Sequence, residues 1–179
     1  MTPDTSALLD RIAAAIRVVP DFPSPGIMFQ DVTPVLADAE LFRASIEALA
    51  EPWRGAGVTH VAGIESRGFI FGAPVATELG AGFIPIRKPG KLPFERTGQD
   101  YALEYGTGRL EMHVDACPAG ARVLVVDDVL ATGGTASAAC ALIESVGGEV
   151  AGCAFFLSIA ALGGNERLRG RRTATLVVA

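Results

Sequence analysis

The stretch Arg122-Val123-Leu124-Val125-Val126-Asp127-Asp128-Val129-Leu130-Ala131-Thr132-Gly133-Gly134-Thr135 constrains the fold more than any other part of the chain. A continuous β-branched run reads as a strand buried on both faces, which is the texture of a parallel sheet. Two adjacent carboxylates follow at the strand's carboxyl end, and a loop of small residues then opens a helix over Ala136 to Val146. Gly133 and Gly134, with Ala131, Thr132 and Thr135, let backbone N–H groups converge on one point, where the helix adds its partial positive end. A phosphate dianion suits that point. The carboxylates of Asp127 and Asp128 would repel a phosphate, so their partners are hydroxyl donors or a divalent cation. A phosphorylated sugar supplies both. No Lys follows the glycines as in a Walker loop, and no GxGxxG is present, so kinase and dehydrogenase readings lose their main support.

The rest of the pattern sets this unit in an α/β protein with a mostly parallel, doubly wound sheet, helices on both faces. A first amphipathic helix carries Leu8, Leu9, Ile12 and Ile16, and a second runs from a cap at Asp38 to Ala50. Between them Pro20 to Gly26, with three prolines and a glycine, excludes regular structure. Strands are expected over Val58–Ile64, Phe83–Ile86, Val150–Ile159 and, at an edge, Thr173–Val178. The turn Glu65-Ser66-Arg67-Gly68 leads into a helix that ends at Leu79 with Gly80 as its left-handed terminator. Arg87 to Pro93 reads as a mobile basic loop, and Tyr101–Tyr105 with Arg109–His113 as a hairpin turning at Gly106-Thr107-Gly108. In such a sheet, ligands bind beyond the carboxyl ends of the strands.

With 179 residues, half of them apolar, the chain has the size of one domain. The net charge of -5 speaks against a surface that coats nucleic acid or anionic membrane. Cys117, Cys140 and Cys153 are far apart in sequence and form no CxxC pair, so buried thiols in a reducing cytoplasm are expected. No leader-like segment or long apolar stretch predicts export or membrane spanning.

The acidic pair and the ATGGT loop resemble the phosphoribosyl-diphosphate motif of the type I phosphoribosyltransferases. The likeness continues through Pro20–Pro34, Gly63–Gly72, Ile86–Pro93 and Leu103–Gly106, where the chain is similar to the adenine-specific branch. The resemblance implies a single domain over residues 1–179, with an N-terminal helix and base-binding hood at 1–34 and a flexible loop and hairpin at 87–105. It implies transfer of a 5-phosphoribosyl group from phosphoribosyl diphosphate to adenine, giving AMP and pyrophosphate, with Mg2+ on the diphosphate, in a cytoplasmic homodimer. By similarity, Asp127 and Asp128 hold the ribose hydroxyls or face the metal, while Ala131, Thr132, Gly133, Gly134 and Thr135 hold the 5-phosphate. Ser66 and Arg67 meet the pyrophosphate, and Arg87, Lys88 and Lys91 close over it. Glu104, followed by Tyr105, stands near the imidazole nitrogens of the base, where a carboxylate can take the departing proton. Phe29 stacks on the purine, and backbone groups near Met28 and Gln30 read its Watson-Crick edge. Gln30 and Met28 depart from the Arg and Val common at these positions. The alternatives are a sister enzyme for another purine and a non-catalytic purine sensor; the hood opposes the first, and the second is expected to append a basic DNA-binding domain. His60 and His113 fall in no motif and are taken as structural.

Overall fold

The computed structural model describes residues 3–102 and 106–179, divided into two compact units, residues 1–48 and 49–179. In the first unit, α1 (Pro3–Ala15) precedes β1 (Arg17–Pro20) and β2 (Met28–Asp31), which pair antiparallel with Val19 opposite Phe29 and Pro20 opposite Met28. The proline-rich stretch thus lies inside a ribbon that the sequence reading had not anticipated. Only Pro20 takes part in pairing, as the last residue of β1, where a missing N–H costs least. Asp21 stands at φ 57° and its Oδ1 accepts the Gly26 N–H at 2.7 Å, closing the turn. Next come α2 (Thr33–Ala37) and α3 (Ala39–Ala50). Asp38 caps α3 as expected, its Oδ1 accepting the N–H groups of Glu40 and Leu41 at 2.9 and 3.0 Å.

The second unit is built on five strands: β3 (His60–Ile64), β4 (Gly82–Ile86), β7 (Arg122–Leu130), β8 (Glu149–Ser158) and β9 (Thr173–Val178). All pairs are parallel, in the order β4-β3-β7-β8-β9. Val61 to Ile64, Val123 to Val126 and Gly152 to Ser158 are buried, as central parallel strands require. The helices flanking the sheet are α4 (Arg67–Leu79), α5 (Gly134–Ser145) and the short α6 (Gly164–Arg167). Gly80 closes α4 in the left-handed conformation, as its sequence predicts. A separate antiparallel ribbon pairs β5 (Arg96–Ala102) with β6 (Thr107–His113).

Most element boundaries shift by one or two residues from those expected, and three features differ more. β7 does not stop at Val126 but runs on through the acidic pair to Leu130, because β8 is long enough to keep pairing with it, Asp127 opposite Phe155 and Leu130 opposite Ser158. The ribbon's first arm is Arg96–Ala102, and Thr107 and Gly108 lie in the second arm rather than the turn. Gly108 faces Tyr101, and a Cβ there would come within 2.5 Å of the Tyr101 ring, so glycine serves packing at this position. The cysteines, finally, are all free and buried, but two of them are not apart in space: Cys140 Sγ and Cys153 Sγ lie 3.7 Å from each other.

Candidate active site

The strand order fixes where the chemistry belongs. From β3 the chain moves outward to β4, whereas from β7 it moves the opposite way to β8 and β9, so the order reverses between β3 and β7. That gap is the switch point of a doubly wound sheet. β3 pairs with β7 only as far as Gly63 opposite Val126, and the next residues of β7 are Asp127 and Asp128. Leading out of β3 at the same level is Glu65-Ser66-Arg67-Gly68, with a cis peptide between Glu65 and Ser66.

The two loops touch. Arg67 Nε lies 2.5 Å from Asp128 Oδ2, joining the first residue of α4 to the acidic pair. Asp128 is only 6% exposed, while the Arg67 side chain keeps 42% of its surface open. The contact is an ion pair by distance, although among the described residues no donor is aligned on Oδ2 for a regular hydrogen bond. Asp127 Oδ1 accepts the Asp128 N–H at 2.9 Å. It also packs on Gly68, where a Cβ would lie 2.7 Å from Oδ1 and 3.0 Å from the Val126 carbonyl. Gly72, one turn further along α4, approaches Gly63 closely enough that a Cβ would lie 3.2 Å from the Gly63 Cα. The glycines therefore let the amino end of α4 press against β3 and β7. Asp127 retains a partial opening to solvent yet lies deep among protein atoms, and the depth governs its proton. Burial first, and then the Asp128 charge, push its pKa well above the ordinary carboxylate value.

The small-residue loop follows the strand. Gly133 is the N-cap of α5 at φ 77°, a conformation that side chains avoid, and it has no side chain with which to cap the helix. The first N–H groups of α5 thus point toward the loop, with Gly133 and Gly134 buried and Ala131, Thr132 and Thr135 half-buried around them. Behind the loop stands α6: a Cβ on Gly133 would meet the Gly164 carbonyl at 2.7 Å and Arg167 Cβ at 3.1 Å. The sequence reading gave α6 no role here, since nothing local ties residue 164 to residue 133.

The basic segment is organised by carboxylates. Glu65 Oε2 accepts Arg87 Nε–H at 3.1 Å and the Lys88 N–H at 3.0 Å, and Arg87 Nη1 donates to the Lys91 carbonyl at 3.0 Å. Burial works to raise the Glu65 pKa, but these donors outweigh it and hold the group below its ordinary value. Arg87 is thereby committed to internal partners, whereas Lys88 and Lys91 are exposed and form no ion pair among the described residues.

The remaining expected residues belong to the first unit or fall outside the described residues. Glu104 and Tyr105 fall outside the described residues. Met28, Phe29 and Gln30 form β2 of the first unit, with Met28 exposed and Phe29 and Gln30 half-buried. Phe29 meets Phe22 edge to face at a centroid distance of 5.1 Å.

Comparison with known proteins bears directly on this arrangement. The phosphoribosyl transferase domain profile matches residues 35–171. An adenine phosphoribosyltransferase of Methylococcus capsulatus is 56% identical over 169 residues, covering 94% of this chain and 99% of that protein. The chain belongs to the adenine phosphoribosyltransferase family. A second such enzyme, from Myxococcus xanthus, is 54% identical over 97% of this chain and 94% of its own length. Among solved structures, the adenine phosphoribosyltransferase of Rhodothermus marinus superposes with a TM-score of 0.93 at 51% identity, covering 97% of this chain and 99% of that one. The Saccharomyces cerevisiae adenine phosphoribosyltransferase, solved with adenine and an imino-altritol bisphosphate, gives a TM-score of 0.91 at 36% identity, over 96% and 99% of the two chains. The α/β fold with its flanked parallel sheet is thus that of adenine phosphoribosyltransferases as a family.

Proposed function

We propose that this chain joins adenine to phosphoribosyl diphosphate, giving AMP and pyrophosphate, at the β3/β7 switch point. One observation carries the reading: the acidic pair, the phosphate loop of α5 and the Arg67 turn are brought to one place by two strands whose connections diverge. The loop Ala131 to Thr135 takes the 5-phosphate on backbone N–H groups, with Thr132 and Thr135 adding hydroxyl donors. Asp127 and Asp128 accept from the ribose hydroxyls. As the bond at the anomeric carbon breaks, positive charge grows on the ribose ring and negative charge on the departing pyrophosphate. The carboxylates face the first and Ser66, Arg67, Lys88 and Lys91 the second, with Arg87 lending what its internal bonds leave. Fixed charges of this kind lower the barrier without any covalent nucleophile. Closure of the 87–91 segment keeps water from the sugar cation. Glu104, beside Tyr105, receives the proton that the base loses, and Phe29 stacks on the purine while the backbone at Met28 and Gln30 reads its edge. A stacked base is held by about 1–3 kcal/mol. On this reading, residues 1–179 act as one domain, with 1–34 as the base-binding part.

Asp127 and Asp128 would suit Mg2+ as hard oxygen donors. No group of three His, Cys, Asp or Glu side chains gathers among the described residues, so this pair would supply at most two carboxylates and the rest of the shell would have to come from outside the protein. A cation held there would supply positive charge against the diphosphate. We also assign the chain to the cytoplasm, which suits three buried free thiols, and to a homodimer, as family resemblance suggests. No described helix is long and apolar enough to cross a membrane.

Kinetics with competing bases test the assignment. Adenine is expected to exceed hypoxanthine, guanine and xanthine in kcat/KM by about 100-fold or more, since a site built for an amino group leaves polar groups unpaired against an oxo group. A faster oxopurine would overturn the choice of base. Binding of phosphoribosyl diphosphate without pyrophosphate release, with adenine and Mg2+ present, would instead favour the sensor.

A further inference from the structure

The chain contains thirteen arginines and only two lysines, and both lysines, Lys88 and Lys91, lie in the exposed basic segment. A segment of prolines, glycine and repelling cations has no reason of its own to hold one shape. What shapes it is a carboxylate that falls in no sequence motif. Glu111 lies on β6 and is 7% exposed. Its backbone exchanges both hydrogen bonds with Arg87, at 2.9 and 2.7 Å. Its side-chain Oε2 accepts the Gly90 N–H at 3.0 Å and sits 3.1 Å from Arg96 Nε. One residue therefore fixes the chain at Arg87 and again at Gly90, on either side of Lys88 and next to Lys91. Gly90 stands at φ 76°, a turn conformation that suits glycine. Glu65 accepts the intervening Lys88 N–H. Charge-assisted bonds to backbone amides, made by a buried carboxylate, order a loop before its ligand arrives and so reduce the entropy lost on binding.

We propose that Glu111 is a positioning residue for the reaction, holding residues 87–91 in the arrangement that brings the two lysine ammonium groups to the diphosphate end of the substrate. The proposal rests on the reading of that segment as the diphosphate contact. Because Lys88 precedes Pro89, a lysine-specific endoprotease has one favourable site in the whole chain, the Lys91–Leu92 bond, and its rate of cutting reports how tightly the segment is held.

The test compares the full-length enzyme with Glu111→Gln, Glu111→Asp and Lys91→Ala, using Mg2+, adenine and phosphoribosyl diphosphate. Glu111→Gln is expected to raise KM for phosphoribosyl diphosphate about tenfold, equivalent to about 1.4 kcal/mol, with KM for adenine unchanged. Its kcat should stay within about threefold, and cutting at Lys91 should quicken about tenfold. Glu111→Asp keeps the charge but shortens the reach to Gly90, so it should move both readouts the same way. Lys91→Ala should raise KM for phosphoribosyl diphosphate by itself. If it does so while both Glu111 variants keep wild-type KM and cutting rates, Glu111 has no positioning role. Lower Tm and active fraction with unchanged KM in those variants would mark a merely structural residue and overturn the proposal equally. If Lys91→Ala leaves KM unchanged, the diphosphate reading of the segment falls, and this proposal with it.

Discussion

The cup formed by β7 and α5 and the ribbon formed by β5 and β6 differ in what holds their charged groups; on the proposed function both place charge for a substrate, by opposite means. In the cup, neighbours along the chain do the placing: strand, carboxylates, loop and helix follow one another from Val123 to Ser145, and buried β strands hold them on both sides. In the basic segment and ribbon, placement depends on pairs distant in sequence, Glu65 with Arg87 and Glu111 with Gly90. A cup of the first kind is rigid because its strand cannot move without unpairing the sheet. A segment of the second kind can leave its position by breaking a few polar contacts, which suits a part that must open and close.

The comparison can be broken most forcefully at Asp128. Asp128→Ala is expected to lower kcat/KM by about 100- to 1,000-fold, the range seen when a fixed electrostatic partner of a transition state is removed. The sheet should survive, because Asp128 is held by Arg67 through a side-chain contact while its strand pairs through the backbone on either side of it. Circular dichroism and thermal unfolding beside the kinetics check both halves. Near-normal activity would sink the role of the acidic pair, and a collapsed fold would show that the cup is not rigid independently of its charges.

How much of this was legible in the sequence follows the same division. The cup could be read because its parts are adjacent: the β-branched run, Asp127-Asp128 and the small-residue loop all lie within fourteen residues. Even there the end of β7 was placed too early, since its length is set by β8, a partner more than twenty residues on. The Arg67–Asp128 pair links residues sixty-one apart and leaves no local trace. The ribbon was the hardest to read. Arg96-Thr97-Gly98-Gln99-Asp100 shows no apolar alternation, and Gly98 and Gly108 are there to make room for Arg109 and Tyr101 across the pair. Glycine inside a strand argues against a strand when the partner is unknown. The β1–β2 ribbon is hard to see for a related reason, because prolines at 20, 23 and 25 signal irregularity, although Pro20 itself ends β1 opposite Met28.

A smaller effect sharpens the account of the cup. In the folded chain the Asp127 pKa is raised above its ordinary value, by burial and by Asp128, so the native state keeps its proton more readily than the unfolded chain does. Between the ordinary carboxylate value, about 3.9, and the raised one, the unfolded state binds fewer protons, so this group's contribution to stability falls as pH rises. Asp127→Asn removes that penalty and keeps an oxygen to accept the Asp128 N–H. Its Tm should exceed that of the native chain at pH 8, and the advantage should shrink steadily toward pH 4. A difference independent of pH would mean that Asp127 stays ionised at no cost, and the depth assigned to the cup would be wrong.

The smallest effect belongs to the ribbon and separates its decoration from its anchor. Arg109 Nη1 meets Asp100 Oδ1 at 2.8 Å across the β5–β6 pair, with both side chains largely exposed. Water and salt screen such a pair, and ordering two long side chains offsets much of its attraction. Asp100→Asn should therefore shift Tm by no more than about a degree and leave KM for phosphoribosyl diphosphate unchanged. Glu111 also faces Arg109, at 3.9 Å, but from a buried position and with a backbone amide among its partners. If Asp100→Asn disturbed the kinetics as strongly as Glu111→Gln, the ribbon would be held by its whole charge pattern rather than by one buried carboxylate. Equal insensitivity of both would remove the ribbon from the control of the basic segment, leaving Glu65 as its remaining carboxylate tie.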